Sequence, residues 1–387
     1  MKKTLLLTFL IIILNNSYAL NIVGEKANKY LRNVPITTEN QTSSSNLPPI
    51  SLEKLDSINY LDLRGFGDSG WSWTHQDDPL PAEFGLALDE FDSKAISLNG
   101  DLNIMNWESV VAYSCAKWHA PYRPGRSYAF LSRPENISQA IERGINFFAL
   151  SHNHTRDCPD IDGAGTPGQI ATFKEINNIR EDNPNFLWHG IHLVSDQKVL
   201  PAIKTFQVKG RVLKVAFASA YTSRESCPYA TCIEDIETIL HNLKNANVNF
   251  RILSLHSQGG QELLVDTAKR FIKDFNGDIV FGHGPHIWKP VRVIPKENGS
   301  RGVIFESLGN FLHPSMASQE KNIIGRALFD LNSLKLVQVQ AIPIKNDKLK
   351  TYFSSANGVE LPANLNWQKA LFEIDDKKVH AVYSNIK

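Results

Sequence analysis

The sequence predicts a layered α/β domain, and two observations carry that expectation. From Tyr60 onward, short apolar runs alternate with segments of helical period. Several of those runs lead at once into Asp, Asn, Glu or His, as expected where an α/β sheet presents a ligand beyond the carboxyl ends of its strands.

The runs that read as strands are "YLDLRGF" (60–66), "AISLNG" (95–100), "INFFAL" (145–150), "VLKVAFAS" (212–219), "FRILSL" (250–255), "DIVF" (278–281) and "GVIFESL" (302–308). Helices are expected over 134–144, 233–247 and 262–277. The first sets Ile137, Ala140 and Ile141 at helical spacing before a Gly stop, and the second does the same with Ile233, Ile236, Ile239, Leu240 and Leu243. After about residue 325, "ALFDLNSLKLVQVQAIPIK" and "KALFEIDDKKVHAVYS" read as antiparallel strands completing a second sheet.

The chain opens with Met1-Lys2-Lys3-Thr4, an apolar stretch from Leu5 to Leu14, and Ser17-Tyr18-Ala19. That is the pattern of a secretory signal peptide, too short for a good membrane span. The expected organisation is a signal peptide at 1–19, a polar extension or linker at 20–56 and a single domain at 57–387, in a secreted or periplasmic protein. An uncleaved signal anchor is the alternative. No later stretch is apolar enough to cross a bilayer. With 41 basic against 40 acidic residues, no overall field points to nucleic acid or an anionic membrane, so recognition must be local.

Four cysteines in an exported chain suggest oxidation. Cys227 and Cys232 bracket the short "CPYATC" loop, and Cys115 and Cys158 each follow a polar motif. Three pairings are open, of which Cys227–Cys232 with Cys115–Cys158 is favoured. A zinc site built from cysteines is disfavoured, because no paired C-x-x-C spacing exists.

The polar residues after the strands are Gly67-Asp68, then Asp101 with Asn106 and Glu108, then His152, Asn153 and His154, then His256, and finally His283 and His286 in "GHGPH". Carboxylate, amide oxygen and imidazole without thiolate suit Mn, Fe, Zn or Mg. Bridging carboxylates flanked by His and Asn are the means to a one- or two-metal centre that activates water and stabilises charge on a phosphoryl or carbonyl oxygen. Singly, each has an ordinary reading: Asp68 a turn residue, Glu108 a solvated helix-start charge, His154 a loop cap. Their occurrence in order, each at a strand end, tells against those readings.

In this order the motifs resemble the CapA family of poly-gamma-glutamate or capsule-synthesis proteins, whose fold is like the calcineurin-type metallophosphoesterases. The matching elements are Gly67-Asp68, Asp101 with Asn106-Trp107-Glu108, Ser151 to Asp157, Gly282 to His286, and Ser307-Leu308-Gly309-Asn310-Phe311, spanning roughly residues 60 to 315. The resemblance implies a four-layer α/β/β/α sandwich with two mixed sheets. It implies Asp68, Glu108, Asn153, His256, His283 and His286 as metal ligands, one or two divalent ions, and His154 as the catalytic histidine. Asn106, Asp157 and Asn310 would stand around the metal rather than on it.

There are departures. The phosphoesterases carry Asp-x-His at the first motif, whereas Asp68-Ser69-Gly70 has no histidine, a loss the family shares. The family's "H-W-G-x-E" is "HSQGGQE" here, which retains His256 and displaces Glu262, and Gly284 replaces the second histidine of "GHHPH". The resemblance thus implies a metal-dependent hydrolase acting on a phosphoester or amide/ester bond of a cell-envelope polymer. A non-catalytic protein assisting capsule synthesis or export proteins is one alternative. A polymer-binding module using the aromatics of "GWSWTH" (70–75) and "WHAPYRP" (118–124) is another. For His75, His119, His189, His192 and His313, a surface or hydrogen-bonding role is expected.

Overall fold

Asp62, Arg64 and Arg326, all buried, tie the first strand of the domain to one more than 260 residues later. The computed structural model describes residues 59–92, 98, 100–314, 319–353, 370–374 and 377–384. The expected signal peptide and linker, and most of the expected strand at 95–100, lie outside them. The strands are β1 (Tyr60–Ser69), β2 (Leu102–Trp107), β3 (Val110–Val111), β4 (Leu131–Ser132), β5 (Phe147–Ala149), β6 (Leu187–His189), β7 (Ala202–Val208), β8 (Arg211–Tyr221) and β9 (Phe250–His256). They continue as β10 (Ile279–His283), β11 (Trp288–Pro295), β12 (Arg301–Leu308), β13 (Gln319–Asp330), β14 (Leu336–Asp347), β15 (Lys350–Phe353), β16 (Ala370–Ile374) and β17 (Lys377–Ser384).

Two mixed sheets result. The larger runs β16-β17-β14-β13-β1-β2-β5-β6, with β15 paired to β14; the smaller runs β11-β12-β10-β9-β8-β7. In the larger sheet β1, β2, β5 and β6 are parallel. In the smaller, β8, β9, β10 and β12 are parallel, with antiparallel strands at both edges. Burial on both faces explains why parallel strands such as β5, β9 and β10 are mostly apolar.

Alternation along each strand sorts the core. Leu61, Leu63, Ile104 and Phe147 pack in one cluster with Phe217, Ile252, Phe281 and Phe305, so the two sheets share a core. Phe66, Met105 and Phe148 instead join residues of helices Phe84–Phe91, Glu135–Glu142 and Gly168–Asp182. Ala216, Ala218, Leu253 and Val280 meet Ile236, Ile239, Leu240 and Leu243 of helix Ile233–Asn245, with Leu264, Ala268 and Phe271 of helix Gln261–Asp274. The first of these two helices starts where Asp235 Oδ2 accepts the Cys232 N–H at 2.9 Å, satisfying one of the free donors of the first turn.

Three expectations are corrected. The strand carrying Asn106 is Leu102–Trp107, fully buried, so Asn106 lies inside it rather than beyond it. Asn103 hides that strand in the sequence by breaking its apolar run; its amide instead donates to the carbonyls of Leu98, Gly100 and Gly144. Asp101, at the opposite end of β2, pairs with Lys209 at 2.9 Å and accepts the Asp62 N–H, a structural role. The C-terminal strands join the first sheet, not a second one: β13 pairs antiparallel with β1 from Tyr60↔Asp330 to Gly65↔Gly325. The Asp62 cluster fixes that register, with Arg64 Nη2 at 2.7 Å and Arg326 Nε at 3.0 Å. Both expected disulfides form, Cys115–Cys158 and Cys227–Cys232, each with Cα atoms 5.8 Å apart. Among the described residues no helix is long and apolar enough to cross a membrane.

Candidate metal centre

Asp68 sits near the end of β1, where three chain segments converge on it. Its N–H donates to Gly309 O at 2.8 Å and its carbonyl accepts from Phe311 N at 2.9 Å, so "SLGNF" is zipped alongside β1. Gly67 permits this approach, since a Cβ there would lie 2.1 Å from Gly309 O. The Asp68 side chain accepts the Gly284 N–H at 3.1 Å and the Asn106 amide at 2.9 Å. Gly284 is required for its φ of +107° and because a Cβ would collide with Ser257 O.

Around Asp68 stand His283 Nδ1 at 3.4 Å, His286 Nδ1 at 3.3 Å and His256 Nδ1 at 3.9 Å. His256 and His283 are adjacent in register at the ends of β9 and β10. His286 adopts a positive φ of 57°, a strained backbone for a non-glycine residue, and its Nδ1 is 2.7 Å from Asn310 Oδ1. Glu108 enters from the end of β2. Its Oε1 lies 3.5 Å from His256 Nε2 and 3.7 Å from His154 Nε2, and its Oε2 lies 3.4 Å from His313 Nε2.

The Glu108 carboxylate is fully buried, yet neither oxygen accepts a hydrogen bond from the described residues; among these, Asn106 Oδ1, His256 Nε2 and both nitrogens of His283 are also buried without hydrogen-bond partners. Leaving so many polar atoms unsatisfied in one place is costly unless something binds there, and these donor atoms fit a divalent cation. Asp68, Glu108 and His256 place ligand atoms within 4.8 Å of one another, and so do Glu108, His286 and His313.

The electrostatics agree with that fit. Burial, then the charge of Asp68, pushes Glu108 up to about 8. Burial opposes ionisation of Asp68 too, but the imidazoles of His283 and His286 hold its carboxyl well below the usual range. Burial likewise opposes a charged His286, but Glu108 and Asp68 hold it up to about 9. Burial takes His256 down to about 3 and keeps His152 and His313 well below the usual imidazole range. Neutral imidazole is the ligating form.

Comparison with known proteins now decides the family. A family profile described as "Bacterial capsule synthesis protein PGA_cap" matches residues 87–315. The chain belongs to that family. The "PGA biosynthesis protein CapA" of Bacillus subtilis (strain 168) is 28% identical over 338 residues, covering 78% of this chain and 84% of that one. Among solved structures, a hypothetical protein from Thermus thermophilus aligns with a TM-score of 0.42 at 11% identity, over 74% of this chain and 99% of that one.

Within this PGA_cap chain, the structure brings together Asp68, Glu108, His256, His283 and His286, with Asn106 and Asn310 bonded to Asp68 and His286 as described. Asp157 Oδ2 holds His154 Nδ1 at 2.7 Å. No hydrogen bond or ion pair among the described residues joins Asn153 to the cluster, although its Oδ1 is also buried without a donor. Glu262 is exposed on the first turn of its helix.

One histidine was missed. His313, expected at the surface or in a hydrogen-bonding role, is fully buried against Glu108 and stacks on His286 with ring centroids 5.4 Å apart. His152 is buried with its ring 6.1 Å from that of His256. Of the others expected to hydrogen-bond, His75 reaches Ala120 O, and His189 accepts the Ser219 N–H.

Burial and then the charge of Arg224 lower the pKa of Arg156, so the two guanidiniums feel each other's charge. No ion pair among the described residues neutralises either. Arg156 lies two residues after His154, and Arg224 three after Tyr221, which pairs with His256 across β8 and β9. Trp73, Tyr122 and Tyr128 are exposed nearby in sequence to these loops, and Phe130 packs on both His154 and His313.

Proposed function

We propose that this chain is a secreted or periplasmic, divalent-metal-dependent hydrolase built as a metallophosphoesterase-like four-layer α/β/β/α sandwich. It acts on a phosphoester or amide/ester bond in capsule, poly-gamma-glutamate or cell-wall polymer. The observation that carries this reading is the buried Glu108 carboxylate, which accepts no hydrogen bond from the described residues and faces His154, His256 and His313.

Asp68, Glu108, Asn153, His256, His283 and His286 would hold the metal. A bound divalent cation supplies a Lewis acid and lowers the pKa of water near it. The protein's own contribution is positional. Asn106 and Gly284 fix both oxygens of Asp68, and Asn310 orients His286. His154, clamped by Asp157, faces the same space as Glu108 and is placed to give a proton to a leaving group. The Arg156–Arg224 pair suits an anionic substrate.

The test is elemental analysis of the purified chain, with hydrolysis assays on p-nitrophenyl phosphate and poly-glutamate. Metal and turnover in the wild type, both lost in Asp68→Ala and His283→Ala, are expected. A wild type without metal, or variants that behave like it, would sink the reading. Gly70, where the phosphoesterases carry a histidine, favours a second reading: a metal-binding protein without turnover that assists polymer synthesis or export. Metal retained without hydrolysis of any envelope polymer would support that one instead.

A further inference from the structure

We propose that His313 is a metal ligand that replaces the histidine missing at Gly70, creating a second cation position that Glu108 bridges to the first. This rests on the metal-centre reading above.

The two oxygens of Glu108 face different imidazoles: Oε1 lies 3.5 Å from His256 Nε2, and Oε2 lies 3.4 Å from His313 Nε2. Two ligand groups therefore share this one carboxylate, Asp68 with His256 on one side and His286 with His313 on the other, each within 4.8 Å. A carboxylate between two such groups is the arrangement of a bridged cation pair. The His286 and His313 rings stack at 27° from parallel, so the two imidazoles of this group sit side by side.

The backbone explains how residue 313 does the work of residue 70. Gly70 N donates to Leu312 O at 2.9 Å, and Asp68 pairs with Asn310 in a parallel bridge. The segment carrying His313 thus runs directly beside the Asp68-Ser69-Gly70 segment. An imidazole leaving residue 313 starts next to the position from which one at residue 70 would start. Phe130 closes the outer side of the ring at a centroid distance of 5.0 Å, limiting its freedom. Neutral imidazole with carboxylate suits Zn, Mn, Fe(II) or Co(II) rather than Ca.

The full chain is stripped with chelator, loaded with Mn²⁺ or Zn²⁺, and its bound ions are counted. The wild type should bind a pair, with exchange-coupled Mn²⁺ spectra. His313→Ala and His313→Gln should keep one ion, lose the second or weaken it by about tenfold or more, and show an uncoupled signal. Circular dichroism checks that the variants fold. Folded variants that hold the pair at unchanged affinity overturn the role of His313 while leaving the metal-centre reading intact. A wild type that binds no ion overturns both. Should neither variant fold, the wild-type spectrum decides: an uncoupled signal at full loading overturns the bridged pair, and a coupled one supports it.

Discussion

Asp157 Oδ2 lies 2.7 Å from His154 Nδ1 and also accepts the Phe130 N–H at 2.7 Å. One carboxylate oxygen therefore fixes the His154 ring and ties it to the segment whose Phe130 packs against it. In Asp157→Asn the imidazole loses its charged anchor, and kcat should fall by about 10–100-fold with little change in KM. An unchanged kcat would show that His154 does not act through this contact.

Glu108 is placed at a cost to the metal-free protein. It is buried, accepts no hydrogen bond from the described residues, and is pushed up to about 8 by burial and Asp68. In chelator, Glu108→Gln should melt at or above the wild-type temperature. On adding metal, only the wild type should gain stability, about 2.7 kcal/mol at a hundredfold excess over Kd. Calorimetry with and without Mn²⁺ measures both. Equal metal-induced shifts in the two proteins would count against Glu108 as a ligand.

Metal loading should release protons. With no ion bound, Glu108 titrates near 8 and His286 near 9, so both hold protons through much of the neutral range. A ligated cation displaces them, so affinity should rise as pH increases from about 6 to 9 and fall as it decreases. Calorimetric titrations in buffers of different ionisation enthalpy report the proton count. A pH-independent affinity would contradict this ligand set.

The charge of Arg224 lowers the pKa of Arg156, and no ion pair among the described residues neutralises either, a repulsion that an anionic ligand would relieve. The double change to Ala should raise KM for anionic polymer about 10–100-fold, the equivalent of one to two charge-assisted contacts, and flatten its salt dependence. A neutral substrate should be affected far less. Equal effects on both would remove these residues from recognition.

Asp62 is held well below the usual carboxylate range: burial opposes its charge, but Arg64 and Arg326 outweigh burial. Because the folded value is depressed, the unfolded chain binds the extra proton first. The contribution is complete above about pH 4 and is lost as pH falls below that. Asp62→Ala should cost about 3–5 kcal/mol at pH 7, since it leaves two buried guanidiniums without this carboxylate. Asp62→Asn should weaken the acid dependence of the urea midpoint. An unchanged acid limb would show that other carboxylates dominate.

Much of the site was legible because its signals are local. Asp68, His256 and His283 each sit at the end of an apolar run, and a strand end is read from a few residues. Gly284 was legible as a departure from "GHHPH", and the structure adds that Ser257 O allows no side chain there. His313 was not legible. It follows "SLGNF" by two residues and looks like a loop histidine until the Gly70–Leu312 hydrogen bond puts it beside Glu108. The helix Gly168–Asp182 was missed as well, because its buried Ala171, Ile176 and Ile179 are interspersed with buried Gln169 and Thr172, which blurs the apolar stripe.

By itself, the sequence determined the α/β alternation, the polar residue types at the strand ends and their order along the chain, since these depend on residue chemistry and short-range period. Which sheet the C-terminal strands join, and which imidazoles meet Glu108, only the tertiary structure decided. Strand pairing and metal-site convergence depend on contacts between residues hundreds of positions apart, such as Asp62 with Arg326 and Glu108 with His313. Those contacts are selected by the packing and hydrogen bonding of the whole domain, which no local pattern encodes.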